Sequence, residues 1–582
     1  MRLCCSSTLE KWILPLCLAG PLMAGNATVA GEVSAPYPTI LNLSLEWRIE
    51  GDDNFDGRVG VEYRRSGGRE WKEGPPLLRI PAGNSGRRTN PTFYWENKHS
   101  GSLFDLEPNT EYEIRLRLRD PDGGATERTL RAKTRAVPRP APGSPVRAAN
   151  AGNFKEVIAA VEPGEIVELA PGYYGEFEMT ADGVPVKPIV IRGDVSHTVR
   201  STFDAISLRG RKHVILERLT VQGSVDLLGA EEVAVRHSTV NAKYGIIAKR
   251  KPGCTNCYIA DNVVTYVMPW APEGMGAGSP WGGAGNVGEG IEITGPGNVI
   301  CHNRVKGYRD CISTMEDRNT YEQISIDIYN NDLYVGVDDG VEADFCMGNC
   351  RVMRNRMTNC GMGVSAQPSL GGPTYFIRNV MYNLVLSPFK LSRGSGGNVV
   401  LHNTAVKTGH GLWVPHGNGQ YYRSTFRNNL CIGGLRDPIQ IQYSGPREGA
   451  ALVTPEADPT NDFDYDGVGT HLTPFRGNIG AITFSSLEEL RQRTTEKHAV
   501  QVDLGVFEKV EFPNPPYPER PVPDLRLKAG SKPIDAGLRL PGVNDGYRDA
   551  APDLGAYEFG EPLPHYGPRP EGVDEETARG AR

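Results

Sequence analysis

The 582-residue sequence predicts an all-β protein, a right-handed parallel β-helix preceded by a small β-sandwich. The main observation is an asparagine that recurs through the second half of the chain at intervals of 24 to 27 residues, after one step of 41. A repeat of this length is typical of a solenoid whose coils each contribute one copy of the same bend. The recurring residues are Asn262, Asn303, Asn330, Asn355, Asn379, Asn403 and Asn428.

Each asparagine follows a short segment in which apolar and polar residues alternate, such as NVICHNRV at 298–305 and NVVLHNTAV at 398–406. Such a segment predicts a strand that ends in a tight bend, because asparagine tolerates left-handed backbone there. Parallel strands about 4.8 Å apart would stack the asparagines into a hydrogen-bonded ladder. We expect this ladder to be structural, because seven equivalent positions cannot all be one active site.

The net charge excludes one class of function, and the N-terminal segment predicts the location of the protein. The formal charge is -7 and the basic residues are spread along the chain, which argues against a nucleic-acid-binding protein. Arg2 and Lys11 precede an apolar run from Trp12 to Met23 and then small residues, the order of a signal peptide within 1–31. No later apolar run is long enough to span a bilayer. We therefore expect a secreted or periplasmic monomer.

The pattern along the chain predicts four further segments after the signal peptide. Residues 36–136 alternate apolar and polar over several short stretches, which predicts the β-sandwich. A proline-rich linker follows at 137–147, and the β-helix is expected over 148–440, with an amphipathic helix at 153–160 capping its open end. Residues 441–582 are expected to be an irregular C-terminal segment with a closing tail.

The segment Leu106-Glu-Pro-Asn-Thr-Glu-Tyr112 resembles the tyrosine corner of fibronectin type III domains. In that corner the tyrosine hydroxyl bonds the backbone of a nearby loop. The resemblance covers about one hundred residues and implies a fibronectin type III-like domain. We expect it to act as a spacer or to dock on the helix, with carbohydrate binding as the alternative.

Eight cysteines remain after the predicted signal peptide. In an exported chain an even number favours disulfides or small buried side chains, and the pairing stays open. The alternative is a metal site formed by Cys254 and Cys257 together with Cys346 and Cys350.

A second strand in each coil is expected to carry the chemistry. Its inward residues are Ile291, Ile312, Val341, Val364, Phe389 and Leu412. Because side chains alternate faces, their neighbours point outward and build a groove. One outward column carries Glu289, Asp310, Asp339, Met362, Ser387 and His410. The column three residues further on carries Glu292, Ser313, Glu342, Ser365, Lys390 and Trp413.

Carboxylates this dense repel one another unless a cation lies among them or some are protonated. Asp310, Asp338, Asp339 and Glu342 offer a hard divalent ion several oxygens, and Ca²⁺ tolerates such an irregular site better than Mg²⁺. The sequence therefore predicts a calcium site. The alternative is that VDDGVEAD is a solvated turn or holds a purely structural ion.

These residues resemble those of the family 9 polysaccharide lyases, which have a pectin lyase-like β-helix. Asp338-Asp339-Gly-Val-Glu342 is similar to the family's DDGxD calcium motif, Asp310 to its isolated aspartate one coil earlier, and Phe389-Lys390-Leu391 to its FKL segment with the catalytic lysine. The resemblance covers residues 285–415. Glu342, Cys311 and the pair Ser392-Arg393 depart from the family pattern, which leaves metal affinity and substrate identity open.

The resemblance implies β-elimination on a uronate-containing polysaccharide. Ca²⁺ would bind the substrate carboxylate and acidify the C5 proton, and Lys390, its pKa lowered by the nearby dication, would remove that proton. Arg393 is the candidate for stabilising the developing charge. His410 is the candidate proton donor to the leaving oxygen, with a bend histidine as the alternative.

Candidate substrate-binding residues complete the predicted site. Trp270 and Trp281 lie in a long loop before Glu289, and exposed indoles can stack on sugar faces. Gln367 and Trp413 are the other candidates.

Three other functions fit the same scaffold. A glycoside hydrolase would use Asp310 and Asp339, or Glu289 and Glu292, as acid and base without a metal. A non-enzymatic carbohydrate-binding or surface protein would hold glycan in the groove, and a uronate epimerase would share the proton abstraction. Calcium dependence and an unsaturated product distinguish the lyase from the hydrolase.

Overall fold

The computed structural model of the chain describes residues 25–194, 200–271, 287–314, 322–415, 417, 419–437 and 447–577. Most of the predicted signal peptide, residues 1–24, lies outside this part of the chain. The first strand begins at Val29.

The first domain is a small antiparallel β domain around its own apolar core. In sheet order its strands are Val29–Ser34, Leu43–Glu50, Lys98–Leu103, Lys72–Ile80, Arg58–Arg65, Glu111–Arg119 and Thr126–Lys133. A short hairpin pairs Gly83–Asn84 with Tyr94–Trp95 and encloses a 3₁₀ turn at Gly86–Arg88. The Glu107 backbone N–H donates to the Tyr112 hydroxyl at 2.8 Å, the hydrogen bond expected of a tyrosine corner.

Two long parallel sheets form the β-helix, and successive coils add neighbouring strands to each sheet. The first contains Val146–Ala149, Ile166–Leu169, Ile189–Gly193, Val214–Glu217, Ala234–Arg236, Tyr258–Ala260, Val299–Cys301, Asp327–Tyr329, Cys350–Met353, Thr374–Ile377, Asn398–Leu401, Thr425–Arg427 and Asp462–Asp464.

The second sheet carries the residues of chemical interest. It contains Gly172–Tyr173, Glu176–Glu178, Ser201–Phe203, Ala205–Ser207, Leu219–Val221, Val225–Asp226, Thr239–Asn241, Tyr244–Ala248, Val263–Thr265, Glu289–Ile293, Arg304–Tyr308, Asp310–Ser313, Asp332–Glu342, Arg356–Ala366, Val380–Leu384, Phe389–Leu391, Thr404–Val406, Leu430–Gly434, Gly467–His471 and Val500–Val502. The inward side chains of both sheets form one continuous apolar core. The fold class expected from the sequence, a β-helix preceded by a small β domain, is confirmed.

Both ends of the β-helix are closed by other elements. The predicted capping helix is present as Phe154–Ala159, and it buries Phe154 and Ile158 against the first coils. At the other end the parallel strands continue past the expected boundary at residue 440, as far as Val500–Val502. The remaining elements are the strands Leu412–Trp413, Leu452–Thr454, Gly477–Ile479, Ile482–Phe484, Phe507–Lys509 and Asp524–Leu527, the helix Leu487–Arg493 and the 3₁₀ turn Leu504–Val506.

The asparagine ladder exists, but two of its predicted members are wrong. At each of these two bends two asparagines are adjacent, and Asn331 and Asn429 occupy the ladder instead of Asn330 and Asn428. Asn330 and Asn428 take the left-handed bend, with φ of 54° and 60°. At each bend, the residue directly before the ladder asparagine has the left-handed backbone conformation. The side chains of successive ladder residues are 2.9 to 3.1 Å apart as far as Asp466, whose N–H donates to Glu496 Oε2 at 3.5 Å.

We expect Asn331→Ala to lower the free energy of unfolding by about 1 to 3 kcal/mol, because its fully buried amide bonds Ile300 O and Asn355 and accepts from Asn303. The neighbouring Asn330→Gly is the matched control, because glycine retains the left-handed bend. Denaturant unfolding of both variants checks the expectation. Equal losses would contradict the assignment of Asn331 to the ladder.

The antiparallel domain is docked on the β-helix by buried polar contacts. Asp327 accepts from Thr39 Oγ1 at 2.5 Å and from Asn42 Nδ2 at 2.7 Å. Arg351, fully buried, bonds Asp327 and also donates to Ser44 and Ser102 of the first domain. Removing either charged partner would leave the other buried and unpaired, at a cost of several kcal/mol. The two domains therefore form one body, as the docking interpretation of the sequence expected.

The C-terminal tail packs along the outside of the β-helix. Leu525, Leu527 and Ala556 join an apolar cluster with outward residues of the coils. The Ala556 N–H donates to Thr404 Oγ1 at 2.8 Å. The tail therefore has extensive structural contacts with the coils. No helix among the described residues is long and apolar enough to cross a membrane.

Candidate active site

The strand register aligns the candidate residues as the sequence predicted. Glu289 lies opposite Asp310, and Ile291 opposite Ile312. On the following coils the column runs in register through Ser313, Glu342, Ser365 and Lys390. The inward partners Ile291, Ile312, Val341, Val364 and Phe389 are all in the apolar core. The apolar core thus fixes which carboxylates and which lysine share one face.

A β-bulge brings two consecutive aspartates into one cluster. The strand Asp332–Glu342 pairs Gly336 with Cys360 but Asp339 with Met362, so it contains one residue more than its neighbour. In a regular strand Asp338 and Asp339 would point to opposite faces. The extra residue re-aims one of them, as bulges beside functional sites commonly do.

The aspartates Asp310, Asp338 and Asp339 form a candidate cation site. One carboxylate oxygen from each lies within 4.8 Å of the other two. The Asp339 N–H donates to Asp310 Oδ1 at 2.8 Å, which holds neighbouring coils in position. Glu342, the predicted fourth ligand, is not a member of this group of three; Ser313 Oγ donates to it at 3.4 Å.

These carboxylates are far less accessible than an open groove requires. Asp310, Asp338, Asp339 and Glu342 are 0 to 2% exposed. None of the four belongs to the apolar core. The column that runs through Ser313, Glu342 and Ser365 ends at Lys390, which is 5% exposed. Arg393, three residues further along the chain, is exposed, so the site meets the surface at this end.

Lys390 is the basic group of the site. Its Nζ lies 2.6 Å from Asp339 Oδ2 and 3.7 Å from Glu342 Oε1. Burial alone would lower the pKa of Lys390, but the carboxylates of Asp339, Asp338 and Glu342 outweigh it and raise that pKa well above its ordinary value. Without a further cation, Lys390 is therefore protonated.

Arg309 is a second cation that sequence reasoning missed. Its guanidinium nitrogens lie 3.5 Å from Asp338 Oδ2, 3.6 Å from Asp310 Oδ2 and 3.6 Å from Glu289 Oε1. Its position directly before Asp310 was the available signal. The guanidinium partly balances the negative charge on the side of the cluster away from Lys390.

Asp344 and Gln367 support the lysine end of the site. Asp344 Oδ1 accepts from Ser365 Oγ at 2.5 Å and from the Gln367 N–H at 2.7 Å. Gln367 Oε1 accepts from Ser392 Oγ at 2.5 Å, and Gln367 is 8% exposed. Gln367 therefore ties two coils together beside Lys390, and its predicted role in substrate binding stays a prediction.

His410 and Trp413 do not continue the Lys390 strand. Among the described residues, Leu412–Trp413 pairs with Leu452–Thr454 in a separate small sheet. His410 Nδ1 accepts from the Ala450 N–H at 3.0 Å, and burial, with Lys407 and Arg476 nearby, lowers the pKa of His410 to about 3. The ring contacts Trp413 edge-on and lines a separate cleft of about 610 Å³. His410 is therefore uncharged at neutral pH.

Trp270 is not an exposed sugar platform. It is 5% exposed, packs with Met268, Val335 and Tyr517, and donates from Nε1 to Pro516 O at 2.9 Å. The sequence could not locate this partner because it is more than two hundred residues away. The other tryptophan of the loop, Trp281, lies outside the described residues.

We expect Trp270→Phe to lower the free energy of unfolding by about 1 to 2 kcal/mol, because it leaves Pro516 O without its indole donor and removes buried apolar atoms. Activity per folded molecule should stay near the wild-type value. Thermal unfolding combined with steady-state kinetics checks this. If Trp270→Phe instead raised KM without changing stability, Trp270 would bind sugar as the sequence predicted.

The cysteine metal site proposed as an alternative is wrong. Cys346 and Cys350 form a disulfide. Cys254 and Cys257 are buried thiols, and burial raises the pKa of Cys254 well above its ordinary value. A protonated thiol is a poor metal ligand.

The residues of the acidic cluster fit a hard divalent ion. Asp339 Oδ1 is buried and has no hydrogen-bond partner among the described residues. Burial, together with the charges of Asp338 and Asp310, raises the pKa of Asp339 well above its ordinary value, although Lys390 opposes the shift. A cation among these oxygens would stabilise the ionised form. An all-oxygen ligand set suits Ca²⁺.

Comparison with solved structures finds several polysaccharide lyases among the similar chains. The chain is similar to pectate lyase Pel9A at 16% identity and a TM-score of 0.36, covering 72% of this chain and 98% of that one. It is similar to the PL6 family polysaccharide lyase Pedsa3628 from Pseudopedobacter saltans at 11% identity and a TM-score of 0.32, covering 69% and 99%. For the PL6 family alginate lyase AlyGC the identity is 12%, the TM-score 0.31 and the coverage 56% and 48%.

No protein-family model and no curated protein matches the chain. At identities and TM-scores this low, the likeness to the solved lyases carries no information about activity. The chemistry has to be inferred from the arrangement of the site residues.

Proposed function

We propose that the protein is an exported polysaccharide lyase that cleaves a uronate-containing polysaccharide by calcium-assisted β-elimination, with Lys390 as the base. One observation carries the proposal: Lys390 Nζ lies 2.6 Å from Asp339, a member of a three-aspartate cluster suited to a divalent ion. Neither a metal-independent hydrolase nor a simple binding protein requires a buried lysine next to such a cluster.

Asp310, Asp338 and Asp339 would hold the ion. Bound Ca²⁺ would neutralise the substrate carboxylate and make the C5 proton more acidic. Lys390 Nζ would accept that proton, the C4–O bond would break with the leaving oxygen taking a proton from water, and the product would carry a double bond between C4 and C5. The neighbouring carboxylates raise the pKa of Lys390 and so keep it protonated. Lys390 can act as a base only if a bound cation balances the negative charge of these carboxylates. This requirement links the lysine to the cation site.

Arg393 is the group we propose for stabilising the developing charge. It is exposed, three residues after Lys390, and takes a left-handed backbone with φ of 56°. His410 has no part in this proposal, because its ring is uncharged and Nδ1 already accepts from a backbone N–H. Substrate would enter at the Lys390 and Arg393 end, where the site meets the surface.

The test uses the full chain with polygalacturonate and alginate, each with Ca²⁺ or with a chelator. We expect ultraviolet absorbance of an unsaturated uronate that rises only with Ca²⁺. If new reducing ends appeared without that absorbance, the protein would be a glycoside hydrolase and not a lyase. No change in either assay on any uronate polymer would contradict the proposal.

A further inference from the structure

The antiparallel domain places one loop beside the lysine end of the site. This loop, residues 83–95, contains the hairpin and the 3₁₀ turn described above. Phe93 and Trp95 pack against Phe345, Met347 and Leu370 of the β-helix. The fit is tight: a Cβ atom on Gly371 would lie 3.1 Å from the Trp95 ring. The end of the loop at Phe93 and Trp95 is therefore anchored on the β-helix.

Arg88 connects this loop directly to the Lys390 coil. Its Nη1 donates to the Arg393 carbonyl oxygen at 2.9 Å. The same guanidinium nitrogen would lie 3.3 Å from a Cβ atom on Gly394, which is glycine at a φ of 77°. Arg88 thus belongs to the first domain but lies on the turn that follows the proposed catalytic strand.

Three arginines meet at this position, and a nearby carboxylate that acts on them is that of Asp344, whose pKa Arg393 helps to lower against the effect of burial. Arg87, Arg88 and Arg393 are all exposed. Among the described residues none of the three forms a salt bridge with a carboxylate, whereas seven of the fourteen arginines within residues 25–136 do. Neighbouring cations repel one another, so an anion bound between them would be stabilised.

The loop also carries an aromatic ring facing solvent. Tyr94 lies between the buried-facing Phe93 and Trp95 and is 79% exposed. Alternation along the strand explains the difference, because neighbouring side chains point to opposite faces. A loop with an exposed tyrosine and two exposed arginines is suited to a charged sugar, since the ring can contact its apolar face and a guanidinium its carboxylate.

We propose that loop 83–95 forms a binding subsite for a second uronate of the polysaccharide, with Arg88 and Arg87 binding its carboxylate. The inference rests on the proposed function, and it gives the first domain a part in substrate binding. The planar guanidinium bonds a carboxylate through two parallel N–H groups, which lysine cannot reproduce. The sugar at this subsite would be a neighbour of the one that reacts at Lys390.

The kinetic test compares Arg88→Ala and the double variant Arg87→Ala/Arg88→Ala with Arg128→Ala. Arg128 is an exposed arginine of the same domain whose hydrogen bonds stay within its own strand, so it controls for charge. We expect KM on polygalacturonate to rise roughly tenfold in the double variant, with kcat within about twofold of wild type, because uniform binding is lost. Arg88→Lys should restore only part of the affinity. A purely structural role would instead lower the unfolding temperature and kcat.

A binding assay separates this inference from the proposed function. In a Lys390→Ala background, retardation of the protein in gels containing polygalacturonate or dextran measures affinity without catalysis. Retardation by polygalacturonate that weakens in the Arg87/Arg88 double variant supports the subsite even if no lyase activity exists. If the double variant keeps lyase activity with unchanged KM and unchanged retardation, the subsite proposal is wrong and the proposed lyase function still holds. Equal retardation by neutral dextran also overturns it.

Discussion

Replacing Lys390 by alanine is expected to lower kcat on the uronate substrate by about 10²- to 10⁴-fold, the usual contribution of a general base. The reason is that Lys390 Nζ is the basic nitrogen in contact with the acidic cluster, 2.6 Å from Asp339. Substrate binding should change little, because the arginines at the surface end of the site remain. Steady-state kinetics and a binding assay on the same variant measure the two effects.

Two companion variants make the lysine result specific. Lys390→Arg keeps a positive charge next to Asp339 but does not release a proton near neutral pH, so we expect it to be as inactive as the alanine variant. Lys249→Ala removes a lysine that pairs with Glu292 at 3.2 Å on an earlier coil, and it should remain active. An active arginine variant would show that Lys390 supplies only charge, and the base would have to be sought elsewhere.

Replacing Asp339 by asparagine is expected to abolish stabilisation by Ca²⁺ together with activity. In the wild type, Ca²⁺ at about one hundred times its dissociation constant should add about 2.7 kcal/mol to the free energy of unfolding. The variant removes an ionised oxygen from the three-aspartate cluster and leaves Lys390 without its nearest partner. Its stability without calcium should therefore also fall, by about 3 to 5 kcal/mol. Thermal unfolding with and without Ca²⁺ measures both quantities.

Asp332→Asn is the matched control for the calcium experiment. Asp332 begins the same strand but pairs with Arg304 and Arg356 outside the cluster. The variant should keep the full increase in stability with Ca²⁺. If wild type and Asp339→Asn gained the same stability, calcium would bind elsewhere and the cluster would be only a buried ionic network.

The strand register that aligns the site residues could be predicted from the sequence. The spacing of Ile291, Ile312, Val341, Val364 and Phe389 is set by burial, because a shift of one residue would turn every apolar side chain out of the core. The residues one position after them are therefore fixed too. The alignment of Glu342 with Lys390 follows from that spacing, whereas bringing Asp338 and Asp339 together with Asp310 also required the β-bulge.

Other features depend on interactions that spacing does not encode. Between two adjacent asparagines such as Asn330 and Asn331, the choice of ladder residue is made by the left-handed bend. Trp270 is buried by a segment far along the chain, around Pro516. The last coils escaped detection because 37 residues separate Asn429 from the next ladder residue, which is Asp466.

The mass of the products tests the central claim most directly. The account predicts that oligosaccharides released from the uronate polymer by the full chain with Ca²⁺ have new non-reducing ends one water lighter than hydrolysis products, and that a chelator prevents their release. Products that all retain the added water would contradict β-elimination at the Asp310, Asp338, Asp339 and Lys390 site.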